Sequence, residues 1–363
     1  MRKQKKDQIN VAVTGLNSSQ TPSPGIGVIH SLRIDPQVRV SIVALAYDMF
    51  SDGIHSLPLA DEVVEVPFPQ THPEPFLKKL AAITSRVHID CLIPTIDAEV
   101  AVISRMEADL KNLGIRVLLP KEDSLKAISK EQLVGLEPFK SFSLPRSAVI
   151  HSRNDLFYQS RVLSFPLMLK GPLGEAYQAG SLTEAGVYFD LLTRTWGTPI
   201  ILQSAVQGEE YAVACLADQR REAVGIVAMK KIIQDAGGTT WAGVTVQEQE
   251  LTKIARHLIK HFEWIGPMEI EFIKETVSGR YYLIEINNRF PAWIYLATQA
   301  GQNMPLAYLQ LALGKKVRPF EGYQSGMLFV RIADDLVTDI GSLARLMTKG
   351  EWTFHEKKKK RSL

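Results

Sequence analysis

The sequence has 363 residues, of which 45% are hydrophobic and 22% charged, an ordinary balance for a globular protein of two or three domains. It contains no run of about 18 apolar residues, and its basic start lacks the apolar segment of a signal peptide, so we expect neither a membrane-spanning helix nor a leader. The two cysteines, Cys91 and Cys215, form no CxxC motif and are typical of a reducing compartment. We therefore predict a cytoplasmic protein.

The positive charge is concentrated at the two ends of the chain. Residues 1–6 carry four positive charges and residues 357–363 carry five, and without these nine the net charge changes from +3 to −6. The rest of the sequence has no basic patch with interleaved aromatic residues. We therefore interpret the ends as solubilising tails and expect neither a nucleic-acid nor a membrane partner.

Short apolar runs alternate with helical patterns over the first 120 residues. This alternation predicts a parallel α/β domain at 1–120. The helical patterns cover 73–88 and 96–113, and the expected strands are INVAVTG, RVSIVALAYD, DEVVEVP, IDCLIPT and IRVLLP.

The remaining sequence changes character twice. Residues 121–200 predict a small α+β subdomain, in which the strand FPLMLKGP is followed by a loop, Gly171–Ser181, and a helix. Strands dominate 201–330, which predicts an antiparallel-sheet subdomain with one long helix. We predict that residues 331–363 form a C-terminal extension that carries the basic tail.

The stretch YYLIEINNRFPAW combines polar and apolar residues in a strand-like order. Alternation predicts that Leu283, Glu285 and Asn287 share one face, while Ile284 and Ile286 enter the core. The preceding strand, GPMEIEFI, carries Glu269 and Glu271 on one face, and the connection TVSG suits a hairpin. We therefore expect the acidic residues of the two strands to meet.

Such a cluster has the chemistry of a metal and phosphate site. Carboxylate and amide oxygens from Glu271, Glu285 and Asn287 suit Mg²⁺, which usually completes its octahedron with substrate phosphates. The planar fork of Arg289 suits a phosphate. The alternative is a solvated hairpin face with an ordinary ion pair, and periodicity alone does not separate Glu269 from Glu271 as the first ligand.

The motif Glu285-Ile286-Asn287-Asn288-Arg289 resembles the last acidic motif of the ATP-grasp superfamily, the group of carboxylate–amine ligases, biotin carboxylase and the carbamoyl phosphate synthetase large subunit. Asn288 replaces the proline that usually precedes the arginine. The resemblance covers about residues 10–330. It implies a fold of mixed α/β and α+β class, with an N-terminal parallel domain, a small central lid subdomain and a C-terminal antiparallel-sheet subdomain.

The resemblance also implies roles for individual residues. Lysines that contact nucleotide phosphate match Lys130 and Lys170, and the loop Gly171–Ser181 takes the place of the glycine-rich phosphate cover. The hinge that reads adenine and ribose matches ILQSAVQGEE, within which we expect nucleotide contacts from Gln203, Ser204, Val206 and Glu210. Gln203 stands where glutamate is usual.

Further substrate contacts are expected from three other segments. The N-terminal loop is glycine-containing but lacks GxGxxG, and the resemblance places it at the substrate site through Ser18, Ser19 and Gly25. The segment AMKKIIQDAGG supplies Lys230, with Lys231 as the alternative, and the loop around Gly237 and Gly238. Arg331 is expected to bind a substrate carboxylate, so the catalytic set is Arg289, Lys230 and Arg331.

The function that this resemblance implies is a ligase that phosphorylates a carboxylate with ATP, forms ADP and passes the acyl group to an amine or thiol. The expected cofactors are ATP and Mg²⁺, with Mn²⁺ as a substitute, and the expected partners are small-molecule carboxylates and amines, with a homodimer allowed. The enzymatic alternative is a carbamoyl-phosphate-synthetase-like or carboxylase reaction. A non-catalytic nucleotide-binding protein on the same fold is the alternative from another class.

Overall fold

The computed structural model of the protein describes residues 8–17, 23–36, 38–48, 50–55, 59–136, 139–172, 174–235 and 238–332, together with residues 337, 340, 341, 344, 348 and 350–353. Both predicted tails, Ser18, Ser19 and Gly237 lie outside the described residues.

The N-terminal domain is a parallel sheet flanked by helices. Its central strand, β1, pairs with β2 on one side and β4 on the other, and β2 pairs with β3, all in parallel. The predicted parallel α/β domain is thereby confirmed. The elements in chain order are β1 (Ile9–Val13), α1 (Gly25–Arg33), β2 (Val40–Ala46), β3 (Glu62–Glu65), α2 (Pro73–Arg86), β4 (Cys91–Ile93), α3 (Asp97–Arg105) and α4 (Glu107–Asn112).

The predicted strand IRVLLP is wrong, because the chain leaves the sheet almost at once. Arg116 forms one isolated parallel bridge with Cys91, and two residues later the Leu118 N–H donates to the Tyr308 hydroxyl (2.9 Å). The opposite edge carries a strand from the predicted C-terminal extension, which pairs antiparallel with β3 over Glu351–Thr353 and is the last strand, β15.

The central unit is a four-stranded antiparallel sheet under two helices. Two short linker helices precede it, α5 (Glu122–Ala127) and α6 (Lys130–Val134). Serines accept backbone N–H groups at the starts of α6, α7 and α8, as expected for good N-caps. The sheet order is β5-β8-β6-β7, with elements β5 (Ser147–Ile150), α7 (Arg153–Leu163), β6 (Leu167–Lys170), β7 (Ala176–Ala179), α8 (Leu182–Trp196) and β8 (Ile200–Ser204).

Two features of this unit differ from the sequence interpretation. The segment expected to be a plain loop, Gly171–Ser181, contains β7, because its residues pair with β6 as a hairpin. The strand at 200–204, which we grouped with the C-terminal strands, pairs instead with β5 and β6. The central sheet therefore extends to Ser204, and the domain boundaries themselves stay a prediction.

The C-terminal unit is a six-stranded antiparallel sheet in the order β13-β12-β9-β10-β11-β14. Its elements are β9 (Gly208–Ala217), β10 (Ala223–Gln234), β11 (Thr240–Val246), α9 (Gln249–His261), β12 (Gly266–Glu275), β13 (Tyr281–Asn287), α10 (Ile294–Gln299), α11 (Met304–Ala312) and β14 (Leu328–Val330). The predicted hairpin between β12 and β13 is confirmed, with Gly279 at positive φ in its turn.

The large sheet is buried on both faces at its centre. Alternate residues of β9 belong to different apolar clusters: Ala212, Ala214 and Leu216 face α1, α10 and α11, whereas Val213, Cys215 and Ala217 face α9. The first cluster also contains Val28 and Leu32 of the N-terminal domain, so that domain and the large sheet share one core. Among the described helices, none combines the length and the apolar character needed to cross a membrane.

Candidate functional site

Three carboxylates and an amide meet where β12 and β13 pair. Glu271 lies opposite Glu285, and Glu269 lies opposite Asn287. The Asn287 amide donates to Glu269 (Nδ2–Oε2 3.3 Å) and to Glu271 (Nδ2–Oε1 3.4 Å). The expectation that the hairpin gathers these side chains is confirmed, while their role as metal ligands stays a prediction.

An extra residue in β13 interrupts the alternation of its side chains. The register shifts just after Glu271, so that Ile284 has no partner residue on β12. Leu283 and Ile286 both belong to the core against α9, whereas Ile284 is only half-buried and lines the cleft beside Leu283. Our expectations that Leu283 shares the face of Glu285 and that Ile284 enters the core are wrong, because strict alternation fails at a bulge.

The two candidate glutamates of β12 differ in their surroundings. Glu269 is 7% exposed and both its oxygens are taken, by Arg289 (Nη1–Oε2 2.7 Å) and by Trp293 (Nε1–Oε1 2.9 Å). Glu271 is 25% exposed. Burial raises the pKa of Glu271, but the neighbouring cations, led by Lys231, outweigh it and lower that pKa. Glu271 is therefore the carboxylate that remains accessible to a ligand.

Lys170, the last residue of β6, is a buried lysine without an anionic contact. It is 6% exposed, and no described residue forms a hydrogen bond or an ion pair with its ammonium. Burial lowers the pKa of Lys170, although Glu285 opposes this effect. Because an unpaired buried charge is costly, this position is best explained by an anion that binds here.

Lys130 reaches the same cleft from the first residue of α6. Its ammonium lies 3.3 Å from Oε1 of Glu285 and donates to the Gly171 carbonyl at 3.3 Å. Lys130 thus contacts both the acidic hairpin and the start of the β6–β7 connection.

Of the two lysines on β10, the structure brings Lys231 to the acidic cluster. Its ammonium lies 2.7 Å from Oε2 of Glu271 and 3.3 Å from Oε2 of Glu210. Burial lowers the pKa of Lys231, but these two carboxylates outweigh it and raise that pKa. Lys230 points to the other face and pairs with Glu209 at 2.5 Å. Our choice of Lys230 over Lys231 is therefore not supported by geometry, because neighbouring strand residues alternate in direction.

The hinge between β8 and β9 borders the cleft. Gln203 is 9% exposed and donates to Ser147 (Nε2–Oγ 3.0 Å), and the Ser204 hydroxyl donates to the Leu163 carbonyl at 3.2 Å. The backbone of Val206 forms no hydrogen bond with any described residue. Glu210 accepts from Gln234 (Nε2–Oε2 2.8 Å) in addition to Lys231.

A cavity of about 20 Å³ lies between the central and C-terminal sheets, which is room for about one water. Polar groups and aliphatic side chains share its walls. They include Lys130, Lys170, Gln203, Ser147, Ile201 and Ile284.

Arg289 follows β13 and is held between the domains. Its Nε donates to Asp97 at 2.8 Å, and its Nη1 donates to Glu269 and, at 3.2 Å, to the Phe290 carbonyl. Burial lowers the pKa of Arg289, but Asp97 and Glu269 outweigh it and raise that pKa.

The remaining predicted contacts lie farther from the acidic cluster. Arg331 follows β14, and its guanidinium lies 5.9 Å from the Phe329 ring centre, on the sheet face that Lys231 also uses. Its Nε is buried without an acceptor among the described residues, and burial lowers the pKa of Arg331. Gly25 begins α1, where a Cβ would lie 2.1 Å from the Thr14 carbonyl oxygen, and Gly238 has positive φ in an open turn.

Sequence reasoning missed Asp97, Trp293 and Ser147. Asp97 is the first residue of α3 in the pattern TIDAEVA, which has the acidic first turn of a helix start, so its contact with a distant arginine is not visible locally. Trp293 lies within the quoted stretch, and a buried indole N–H needs an acceptor. That requirement could have indicated its pairing with Glu269.

Comparisons with known proteins agree on the fold. Residues 197–332 match a family described as ATP-grasp in the biosynthetic pathway with Ter operon. The structure superposes on the biotin carboxylase domain of the Hydrogenobacter thermophilus 2-oxoglutarate carboxylase, solved with MgADP, with a TM-score of 0.65 at 13% identity, covering 86% of this chain and 71% of that one. The chain has the ATP-grasp fold. An L-amino acid ligase from Bacillus licheniformis gives a TM-score of 0.63 at 16% identity, with 86% and 76% covered.

Curated relatives that match this chain are much longer than it is. Acetyl-CoA carboxylase 1 of Oryza sativa subsp. japonica is 25% identical over 227 residues, which are 53% of this chain and 10% of the carboxylase. The human mitochondrial carbamoyl-phosphate synthase [ammonia] is 25% identical over 239 residues, 60% of this chain and 15% of the synthase. The chain thus spans a small part of the relatives it matches, and the resemblance seen in the sequence to the ATP-grasp group is confirmed.

Proposed function

We propose that this ATP-grasp protein is a ligase that activates a carboxylate with ATP as an acyl phosphate, which an amine then attacks. The observation that carries the proposal is Lys170, a buried ammonium that faces an acidic cluster and has no ion-pair partner among the described residues. A triphosphate supplies the missing negative charge. Its metal would be taken up by the carboxylates on the opposite side of the cleft.

The acidic hairpin fits Mg²⁺ in its chemistry. Glu271, Glu285 and Asn287 offer hard oxygen donors from adjacent strand positions. Within the described residues, no group of three or more acidic, histidine or cysteine side chains could hold a metal alone. The remaining ligands would therefore come from phosphates, as is usual for Mg²⁺. Glu271, Glu285 and Asn287 would hold the ion, which would supply charge neutralisation for phosphoryl transfer.

The reaction needs position and charge neutralisation rather than a protein nucleophile. An oxygen of the substrate carboxylate attacks the γ-phosphorus of ATP, the bond from that phosphorus to the bridging oxygen breaks, and ADP leaves. The amine then attacks the acyl carbon, loses a proton and expels phosphate. Lys130 and Lys170 would hold the nucleotide phosphates, while Arg289 and Lys231 would offset charge at the transferred group.

Contacts for the base and the acyl substrate are assigned with the same reasoning. Gln203 and the backbone of Val206 would contact adenine, and Glu210 the ribose. Arg331 lies on the same sheet face as Lys231, and its Nε has no acceptor among the described residues. We propose that Arg331 binds the substrate carboxylate. A homodimer and a cytoplasmic location stay predictions.

A carboxylase or carbamoyl-phosphate type of reaction is the second candidate, because the curated relatives are enzymes with those names. The same site would then phosphorylate bicarbonate in place of an organic carboxylate. ADP release that requires bicarbonate and needs no added organic acid would favour this candidate.

ADP release from MgATP with pooled carboxylates and amines tests the main proposal. Lys170→Met should weaken MgATP binding by roughly 10–100-fold, the effect of losing a charge-assisted contact. Lys274→Met is the matched control. Lys274 also lies near the end of a β-strand, but it pairs with Glu248 outside the cleft. Equal MgATP affinity of the wild type and Lys170→Met, or no nucleotide binding at all, would contradict the proposal.

A further inference from the structure

Asp97 joins the N-terminal domain to the arginine of the candidate phosphate site. It is the first residue of α3, and its Oδ2 accepts from Nε of Arg289 at 2.8 Å. Its Oδ1 accepts the backbone N–H of Asn288 at 3.2 Å, and its carbonyl accepts from the Asn288 side chain at 3.3 Å. One residue of the N-terminal domain therefore fixes both the backbone and the side chain of the turn after β13.

The contact with Asp97 uses only some of the N–H donors of Arg289. A guanidinium carries five N–H donors in a rigid plane. Nε is used by Asp97, and Nη1 is used by Glu269 and the Phe290 carbonyl. No described residue accepts a hydrogen bond from Nη2. The two bound edges fix the plane of the guanidinium, and Nη2 is the edge that remains for a ligand.

Hydrogen bonds to the neighbouring Glu99 hold the start of α3, where Asp97 lies. The neighbouring Glu99 is buried and accepts the backbone N–H groups of Thr95 (2.7 Å) and Ile96 (2.9 Å). It also accepts the hydroxyls of Thr14 and Tyr47, which follow β1 and β2. The start of α3 is thereby tied to the carboxyl ends of the parallel strands, the edge at which α/β sheets bind their ligands.

We propose that Asp97 is a positioning residue, which sets Arg289 from across the domain interface so that Nη2 faces the phosphoryl group in transfer. The inference rests on the proposed function. It makes the alignment of the phosphate arginine depend on a residue of the N-terminal domain. Asp97 should therefore affect the transition state of phosphoryl transfer and leave ground-state nucleotide binding almost unchanged.

The test compares binding of MgADP with binding of MgADP plus aluminium fluoride, which imitates the transferred phosphoryl group. Asp97→Asn keeps an oxygen for the Asn288 N–H and removes the charge that holds Arg289. We expect its MgADP affinity to stay within about twofold of the wild type and its affinity for the fluoride complex to fall by about tenfold or more. Asp97→Glu should recover part of that loss.

Asp61→Asn is a matched control. Asp61 likewise accepts one guanidinium N–H, from Arg33 at 2.8 Å, and one backbone N–H, from Ile42 at 2.8 Å, but wholly within the N-terminal domain. It should keep the wild-type ratio of the two affinities. In an Arg289→Lys background, Asp97→Asn should cause little further loss, because Asp97 acts through the arginine.

The outcomes separate the two proposals. A wild type that binds neither MgADP nor its fluoride complex overturns the proposed function and the inference with it. A wild type that binds both, with an unchanged ratio in Asp97→Asn or an additive loss on Arg289→Lys, overturns the inference alone. Should Asp97→Asn not fold, Asp97→Ser is used with the same expected ratio, and failure of both to fold would make Asp97 a structural residue and reject the proposal.

Discussion

The ammonium of Lys130 lies 3.3 Å from the carboxylate of Glu285 and also donates to the carbonyl of Gly171. One lysine thus connects a candidate metal ligand on β13 with the residue that starts the β6–β7 connection. When a metal and a triphosphate bind, Glu285 would turn to the metal and Lys130 to phosphate. The contact with Gly171 would then be released, which links nucleotide binding to the position of the β6–β7 hairpin.

The first prediction concerns Glu285→Gln, which keeps the shape of the side chain and removes one negative charge. Turnover should fall by about 10²–10³, by analogy with the loss of other preorganised electrostatic contacts. The free energy of unfolding should change by less than about 1 kcal/mol, because the partly exposed pair with Lys130 contributes little and repulsion from the opposing Glu271 is relieved. Thermal melts without metal, followed by ADP release, measure both effects.

Glu209→Gln serves as the control for that substitution. Glu209 pairs with Lys230 at 2.5 Å on the neighbouring strand and lies outside the cleft, so both turnover and stability should stay near the wild-type values. If the melting temperature of Glu285→Gln lies far below that of the wild type, Glu285 has a structural role. Wild-type turnover in Glu285→Gln would place the metal elsewhere.

The second prediction is that Mg²⁺ binds weakly unless nucleotide is present. Lys231 engages Glu271 and Lys130 engages Glu285, so a metal alone must displace two cations from two carboxylates. A nucleotide supplies phosphate oxygens as ligands and new partners for the lysines. Titration of Mn²⁺ followed by electron paramagnetic resonance should show an affinity at least about tenfold higher with ADP than without it.

Equal Mn²⁺ affinity with and without ADP would contradict this prediction. The double substitution Glu271→Gln/Glu285→Gln should abolish the gain from ADP, which separates a site on this hairpin from metal that is carried by the nucleotide alone.

The motif on β13 could be predicted because its information is local. Alternation and the short turn with Gly279 place Glu271, Glu285 and Asn287 together, and the structure has them so. The bulge at Ile284 could not be predicted, because it appears only in the pairing of β13 with β12, and the residues of β13 alone do not indicate it. Period-two reasoning therefore assigns two side chains of this strand to the wrong face.

Contacts between domains could not be predicted either, because they join residues that are far apart in the sequence. Asp97 and Arg289 belong to different units, and nothing near either residue in the sequence indicates the other. The strand β8 was grouped with the wrong sheet because an apolar run of five residues fits any buried strand. The choice between Lys230 and Lys231 depended on which face of β10 carries the acidic cluster, and that face is decided by the pairing of β9 with β10 and β12.

The third prediction is that the site prefers ATP to GTP through Gln203. The Ser147 hydroxyl donates to the Pro145 carbonyl at 2.9 Å, so its oxygen accepts from Nε2 of Gln203. Oε1 of Gln203 is thereby turned away from Ser147 as an acceptor, which suits the amino group of adenine and opposes the carbonyl of guanine. Calorimetry should show roughly tenfold or greater preference for ATP, the effect of one unsatisfied polar contact.

Ser147→Ala should reduce that preference, because the Gln203 amide would then be free to rotate and present its amino group. Ser160→Ala is the control, since the Ser160 hydroxyl donates to the Phe157 carbonyl within α7 and should not affect base choice. Equal affinity of the wild type for ATP and GTP would exclude Gln203 as the residue that reads the base.

The fourth prediction follows from the lowered pKa of Lys170. Burial shifts the pKa of this ammonium below that of an ordinary lysine, about 10.4. A bound triphosphate would stabilise the charged form and raise the pKa again. Between the two values, binding should take up protons, so MgATP affinity should fall as pH rises through the lowered pKa.

The folding stability depends on pH in the opposite direction to the MgATP affinity. Without nucleotide, the unfolded chain holds a proton on Lys170 at pH values where the folded protein has lost it, so the contribution of Lys170 to the free energy of unfolding rises with pH in that window. Calorimetry of MgATP binding in two buffers of different ionisation enthalpy should reveal proton uptake at alkaline pH that Lys170→Met lacks and Lys274→Met retains. If Lys170→Met takes up as many protons as the wild type, the titrating group is another residue, and Lys170 is not the ammonium that meets the phosphates.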